Sequence, residues 1–213
     1  MDNKSLPSIL KKYAQKRNQP DGTLYLSLLH SDAKTIADKC NTSLKEIEIA
    51  ALENEIIPER YCRNQQSLRN KEQIQLLNSH VAVIGQGGLG GTVTELLARI
   101  GIGCLTLVDA DIFEESNLNR QLLSTIEELG CSKAEAGKKR VQSINPAVEV
   151  TAITSYLNSN NGIDILSGSQ VAVDCLDSIP SRFDLEEACK YLKIPLVSAA
   201  IGGLTGQVTV VFP

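Results

Sequence analysis

Four glycines, Gly85, Gly87, Gly88 and Gly90, stand within "VIGQGGLGG" and satisfy the G-x-G-x-x-G spacing. A turn of this kind lets backbone N–H groups approach a phosphate closely, and the helix that follows adds the positive end of its dipole. The expected ligand is a nucleotide. Asp109 ends the next apolar run, where a carboxylate can accept hydrogen bonds from ribose hydroxyls. The turn leaves a nicotinamide dinucleotide, a flavin and ATP all open. The segments around it narrow the choice. "SNLNRQ" supplies Asn117, Arg120 and Gln121, "GCSKAEAGKKR" supplies Lys133, "DCLDS" supplies Asp177, and "RYCRN" upstream supplies Arg60 and Arg63. Guanidinium groups, an ammonium and acids around one phosphate-binding turn suit a triphosphate, whose charge is neutralised by Arg, Lys and a divalent cation. Magnesium takes one carboxylate plus phosphate oxygens, and Asp177 is the candidate ligand.

These residues need a scaffold that brings strand ends together. From residue 80 the sequence alternates strands and helices. "VAVIG", "CLTLVDAD", "VEVTAIT", "VAVDCLD", "PLVSAAI" and "GQVTVVF" read as strands. Helices are predicted from Gly88 to Ile100, from Ser132 to Ser143 and over "SRFDLEEACKYLK". The pattern predicts an α/β fold with a Rossmann-like, doubly wound, mainly parallel sheet, which binds ligands at the carboxyl ends of its strands. Asp174 and Cys175 fall inside a predicted strand and are read as fold and core residues. The chain divides near residue 75. The part before it reads as a small helical appendage without a strong strand. "DAKTIADKC" is one helix. "TSLKEIEIAALENEI" is a second, with Ser43 and Glu46 as a capping box and Pro58 as its end. A helix-turn-helix for DNA is disfavoured, because the second helix carries Glu46, Glu48, Glu53 and Glu55.

The 213 residues carry a net charge of −4 and are 42% hydrophobic, so neither a dominant nucleic-acid surface nor a membrane surface is expected. No apolar run is long enough to span a bilayer, and "MDNKSLPSIL" has no signal-peptide pattern. The six cysteines form no C-x-x-C pair, which fits a cytoplasmic location.

The ordered motifs resemble the ThiF/MoeB/HesA family, prokaryotic relatives of ubiquitin-activating enzymes. The resemblance runs over residues 59–213 through "RYCRN", the glycine turn, "SNLNRQ", "GCSKAEAGKKRVQSINP", "DCLDS" and "PLVSAAIGGLTGQVTV". It implies an adenylation domain over 59–213 and a separate small region over 1–58. It also implies an ATP- and magnesium-dependent adenylyltransferase acting on the C-terminal glycine of a small ubiquitin-like sulfur carrier ending in Gly-Gly. Thiamine, molybdopterin and cysteine pathways are equally open. By the same resemblance Asp109 holds the ribose, Asn117, Arg120 and Lys133 contact phosphates, and Asp177 binds magnesium. Arg63 reaches into the partner subunit's site, which implies a homodimer. A carboxylate nucleophile is already ionised, so no general base is required, and neither His30 nor His80 falls in these motifs. The sequence departs from the family in two places. The "TDN" common there reads "LDS", with Ser178 left to cap the following helix, and the chain ends at Pro213, ahead of the two C-x-x-C pairs of many members. No zinc is therefore expected. The competing readings are an NAD-dependent oxidoreductase and a non-catalytic nucleotide-binding regulator.

Overall fold

A computed structural model describes residues 5–19 and 21–213; Met1–Lys4, at the start of the segment read for a signal peptide, lie outside the described residues. The chain forms two compact units, Met1–Asn78 and Ser79–Pro213.

In the first unit, α1 (Leu6–Tyr13) leads into a hairpin of β1 (Gln15–Asn18) and β2 (Leu24–Leu28). Helices α2 (His30–Cys40) and α3 (Leu44–Glu53) follow, then β3 (Ile56–Pro58) and α4 (Asn70–Leu77). The three strands make one sheet in the order β1-β2-β3, antiparallel and then parallel. A three-stranded sheet thus stands beside the helices in a region expected to be helical and without a strong strand. The alternation along β2 turns Leu26 and Leu28 toward α1, α2 and α3 while Leu24 stays exposed, and Leu28 and Ile56 join Leu10, Ile36, Ile47 and Ala51 in a buried cluster. The capping box at Ser43 forms as expected: the Ser43 N–H donates to Glu46 Oε2 at 2.9 Å, and the Glu46 N–H donates to Ser43 Oγ at 3.2 Å. The helix stops at Glu53, before Pro58, because Glu55 turns left-handed (φ 58°) and releases Ile56–Pro58 to pair with β2.

The second unit holds a six-stranded sheet in the order β6-β5-β4-β7-β8-β9. Its strands are β4 (His80–Ile84), β5 (Cys104–Val108), β6 (Glu149–Ile153), β7 (Val171–Asp174), β8 (Leu196–Gly202) and β9 (Thr205–Val211). All neighbours are parallel except β8 and β9. The crossovers are α5 (Gly88–Ile100), α6 (Lys133–Ile144), α7 (Gly162–Leu166) and α8 (Ile179–Leu192). Helix α5 packs on α6, and α7 packs on α8. Strand order leaves β4 in one direction through β5 and in the other through β7. Crossovers of one hand therefore put the two helix pairs on opposite faces and open a crevice at the β4–β7 switch point. The doubly wound, mainly parallel fold read from the sequence is the one observed. The edge hairpin exposes Ile201, Leu204, Val208 and Phe212, and nearby α8 exposes Phe183.

Candidate nucleotide-binding site

The glycines divide by what their neighbours require. Gly85 leaves β4 at φ +93°, and a Cβ there lies 2.6 Å from the Cys175 carbonyl oxygen at the end of β7. A Cβ on Gly90 lies 1.8 Å from the Gly85 carbonyl oxygen. Both positions exclude side chains through packing alone. Gly87 caps α5 and Gly88 begins it. A Cβ on Gly87 meets only the Gln121 amide at 3.8 Å, and one on Gly88 only the Arg120 carbonyl oxygen at 3.4 Å. Protein packing does not demand glycine at these two positions. They keep the first N–H groups of α5 open, as a phosphate cradle requires.

Gln86, between the glycines, is fully buried and was not singled out from the sequence. Its side chain donates to the Val83 carbonyl at 3.2 Å and accepts from Thr94 at 2.9 Å. Its backbone N–H donates to Asp109 Oδ2 at 2.7 Å, while Asp109 Oδ1 accepts the Asp111 N–H at 2.8 Å. Asp109 thus fastens the turn to the end of β5 and retains further lone pairs for hydroxyl donors. Burial raises its pKa, and the two N–H donors oppose that shift.

Lys133 begins α6 behind the N-cap Ser132 and is buried. Its ammonium donates to Asp111 Oδ2 at 3.1 Å, and Asp111 Oδ1 accepts from the Tyr156 hydroxyl at 2.9 Å. Burial works to raise the Asp111 pKa, but the hydrogen bonds from Lys133 and Tyr156 outweigh it and hold the carboxyl below its ordinary value. Asp109, Asp111 and Asp177 all push the Tyr156 hydroxyl upward, its direct bond to Asp111 foremost. Carboxyl ends of β4, β5 and β7 therefore converge on one patch.

In the loop after β5, Asn117 is buried and its Oδ1 accepts the Glu114 N–H at 3.0 Å. Arg120 is exposed, donating to the Ser116 carbonyl at 2.8 Å and to Asn119 at 3.0 Å. Gln121 is buried beside Gly87, and its Oε1 has no hydrogen-bond partner among the described residues. A buried acceptor left unpaired costs about 1–3 kcal/mol, which a hydroxyl or amino donor of a bound molecule would relieve.

Asp177 is exposed past β7 and is not the helix N-cap. Ser178 takes that position, but its side chain caps no backbone N–H; it accepts from Ser181 at 3.3 Å. Asp174 serves the fold as expected. It pairs with Arg182 at 2.9 Å and accepts from Ser198 at 2.6 Å and from the Leu176 N–H at 3.0 Å. Arg182, unmarked in the sequence reading, also donates to the carbonyls of Leu176 and Ala199, which braces the loop leading to Asp177. Cys175 follows β7 rather than lying within it. Burial pushes its thiol up to about 12, in keeping with a packing role.

Arg60 and Arg63 belong to the first unit. Arg60 pairs with the buried Glu48 at 3.3 Å and meets His30 Nδ1 at 3.0 Å, which ties it to that unit's packing. Arg63 lines a cavity of about 400 Å³ with Arg17, Tyr25, Glu59 and Cys62. No group of three or more His, Cys, Asp or Glu side chains among the described residues is arranged to hold a metal.

A Rossmann-type sheet with a glycine turn at its switch point defines a nucleotide-binding domain of the doubly wound class. Residues 61–213 match the ThiF family, and the chain belongs to it. Among curated relatives it is 39% identical over 141 residues to the SAMP-activating enzyme E1 of Haloferax volcanii, covering 66% of this chain and 52% of that one. It is 44% identical over 138 residues to the adenylyltransferase and sulfurtransferase MOCS3 of Drosophila grimshawi, covering 65% and 31%. The chain thus spans about half or less of the length of these relatives. Among solved structures, the E. coli tRNA N6-threonylcarbamoyladenosine dehydratase TcdA in complex with ATP superposes with a TM-score of 0.66 at 32% identity, over 69% of this chain and 61% of that one. The same protein in complex with AMP matches equally.

Proposed function

We propose that the chain binds ATP at the Gly85–Gly90 turn and adenylates the C-terminal glycine carboxylate of a small ubiquitin-like sulfur carrier, releasing pyrophosphate. The observation that carries this reading is the open Gly87–Gly88 helix terminus, where packing does not demand glycine, with Lys133 and Arg120 in the flanking segments. The adenylation domain takes residues 59–213, and residues 1–58 form a small N-terminal region. The relatives named for adenylyltransferase and activating-enzyme activity support the reaction class.

The carrier carboxylate oxygen attacks the α-phosphorus. The new C–O–P bond forms as the bond to the β-phosphate oxygen breaks, and the electron pair leaves with pyrophosphate. No proton moves, so catalysis rests on alignment and on charge stabilisation. Asp109 orients the ribose while pinning the turn. Arg120, Lys133 and the amides of Asn117 and Gln121 meet the developing phosphate charge. Asp177, a single exposed carboxylate, fits magnesium, which binds through one or two carboxylates plus phosphate oxygens and keeps several waters. Magnesium held there would supply charge neutralisation on the phosphates. Arg63 acts in trans within a homodimer, and the exposed apolar side chains of β8, β9 and α8 are suited to such a contact. No helix among the described residues is long and apolar enough to cross a membrane, and we place the protein in the cytoplasm.

The likeness to TcdA supports a second reading, in which the activated carboxylate is carried by a modified tRNA nucleoside. Radiolabelled ATP–pyrophosphate exchange separates the two. Exchange that requires a Gly-Gly-ended carrier supports the first reading, and exchange that requires tRNA supports the second. Exchange unchanged by both Lys133→Ala and Arg120→Ala refutes the site, because removing one such donor costs roughly 10²–10³-fold.

A further inference from the structure

The first unit carries a groove of about 800 Å³ with no part in the nucleotide site. Its rim gathers Lys11 of α1, Lys16 of β1, and Arg69 and Lys71 at the start of α4. None of these four cations forms an ion pair or hydrogen bond among the described residues, and the groove lining contains a single carboxylate, Glu55. The chain as a whole carries a net charge of −4, so this patch runs against its general charge. Cations gathered without partners raise the local positive potential and attract acidic ligands.

The floor is aliphatic. Leu24 of β2 is 69% exposed, and Leu26 of the same strand and Ile57 of β3 also line the groove. The wall adds a donor, Gln65 Nε2, and an acceptor, Asn70 Oδ1, that are buried without partners. A donor and an acceptor in one wall are the complement of a peptide group. An apolar floor, a basic rim and an unpaired amide couple favour a polypeptide over a nucleic acid, which seeks aromatic platforms; Tyr25 is the one aromatic ring in the lining.

We propose that this groove binds an extended, acidic peptide segment of a partner protein, with its carboxylates against Lys11, Lys16, Arg69 and Lys71 and an apolar side chain over Leu24. The interaction is independent of ATP. Fluorescence anisotropy on the full chain tests it, with three labelled probes at physiological salt: a peptide of alternating glutamate and leucine, its glutamine-for-glutamate counterpart, and oligouridine RNA. Saturable binding of the acidic peptide is expected, with the glutamine counterpart at least tenfold weaker. The double variant Lys16→Glu/Lys71→Glu weakens the acidic peptide by about tenfold, since each exposed attraction becomes a repulsion. Both lysines are exposed, so the unfolding temperature and the ATP-induced stabilisation stay at wild-type values. Leu24→Ser weakens the same probe without changing charge. Absence of peptide binding overturns the proposal. So does binding that ignores all three substitutions, or oligouridine bound more tightly with the same sensitivity to charge reversal.

Discussion

Gly87→Ala and Gly90→Ala differ by one methyl group placed on the same turn, and the structure assigns them opposite effects. At Gly90 the added Cβ sits 1.8 Å from the Gly85 carbonyl oxygen, a backbone atom that cannot rotate away. Relief requires the turn to move, and the turn is held by Asp109 through Gln86. Overpacking of this kind costs about 3 kcal/mol. For a unit of this size that lowers the unfolding temperature by roughly 10 °C. At Gly87 the nearest atom to an added Cβ is 3.8 Å away, so alanine meets no clash, and the backbone (φ −74°, ψ −145°) lies just past the edge of the extended region, which adds only mild strain. The cost there is the replacement of glycine at an N-cap plus that strain, about 1–2 kcal/mol, below the cost at Gly90. The methyl group nevertheless occupies the approach to the first N–H groups of α5. ATP affinity is therefore expected to fall at least tenfold, about 1.4 kcal/mol. Thermal unfolding with and without Mg-ATP reads both effects. In the wild type, ATP at 100 times its dissociation constant adds about 2.7 kcal/mol. Gly87→Ala should unfold closer to the wild-type temperature than Gly90→Ala does but respond weakly to ATP. If Gly87→Ala instead unfolds as early as Gly90→Ala, or binds ATP with full affinity, the division of the glycines into packing and cradle roles is wrong.

Arg182→Met strands the buried Asp174 charge and should destabilise the second unit by about 3 kcal/mol in urea unfolding, with Asp174→Asn/Arg182→Met recovering part of the loss. Asp111→Asn leaves the Lys133 ammonium without its anion; because Asp111 is half exposed the expected loss is only about 1 kcal/mol, but the KM for ATP should rise, as steady-state kinetics would record. Glu46 is held down to about 2 by hydrogen bonds from Thr42 and Ser43, below its ordinary 4.5. A depressed folded-state pKa means that the cap's contribution is complete above pH 4.5 and disappears as pH falls through about 2, so Glu46→Gln should flatten the acid limb of thermal stability across that window. A wild-type acid limb identical to that of the variant refutes the role of the cap.

The sheet was legible because its central strands β4 and β5 are buried on both faces and read as apolar runs bounded by turns; "VAVIG" and "CLTLV" have no other good placement. The helix Gly88–Ile100 was placed to the residue because glycine punctuates both ends, with Gly101 closing it at φ +94°. The first unit was not legible. Strand β1, "QKRN", has no β-forming composition and exists because Lys16 and Arg17 pair with Leu26 and Tyr25. Strand β3 is three residues long and continues a helical periodicity that only the left-handed Glu55 interrupts. Within the site, the charged residues were legible by type and order, whereas Gln86, Asp111 and Tyr156 were not. Their roles depend on pairings with residues as distant as Thr94, Lys133 and one another, and no local pattern marks those.

If the proposed function holds, those unmarked pairings would account for how a shared glycine turn serves a triphosphate reaction. In a dinucleotide site the acid at the end of the second strand is chiefly a ribose ligand. Here Asp109 also closes the turn onto its neighbour, and its backbone partner Asp111 anchors Lys133. The glycine turn, Asp109 and Lys133 are thus joined by a continuous hydrogen-bonded path across two strand ends and one helix start. A carboxylate attacking phosphorus has no proton to give up, so the catalyst has only to hold positive groups where charge develops. A buried ammonium fixed by a hydrogen-bonded carboxylate does this without reorganising during the reaction. Its alignment is therefore as much a property of Asp111 and Tyr156 as of Lys133 itself.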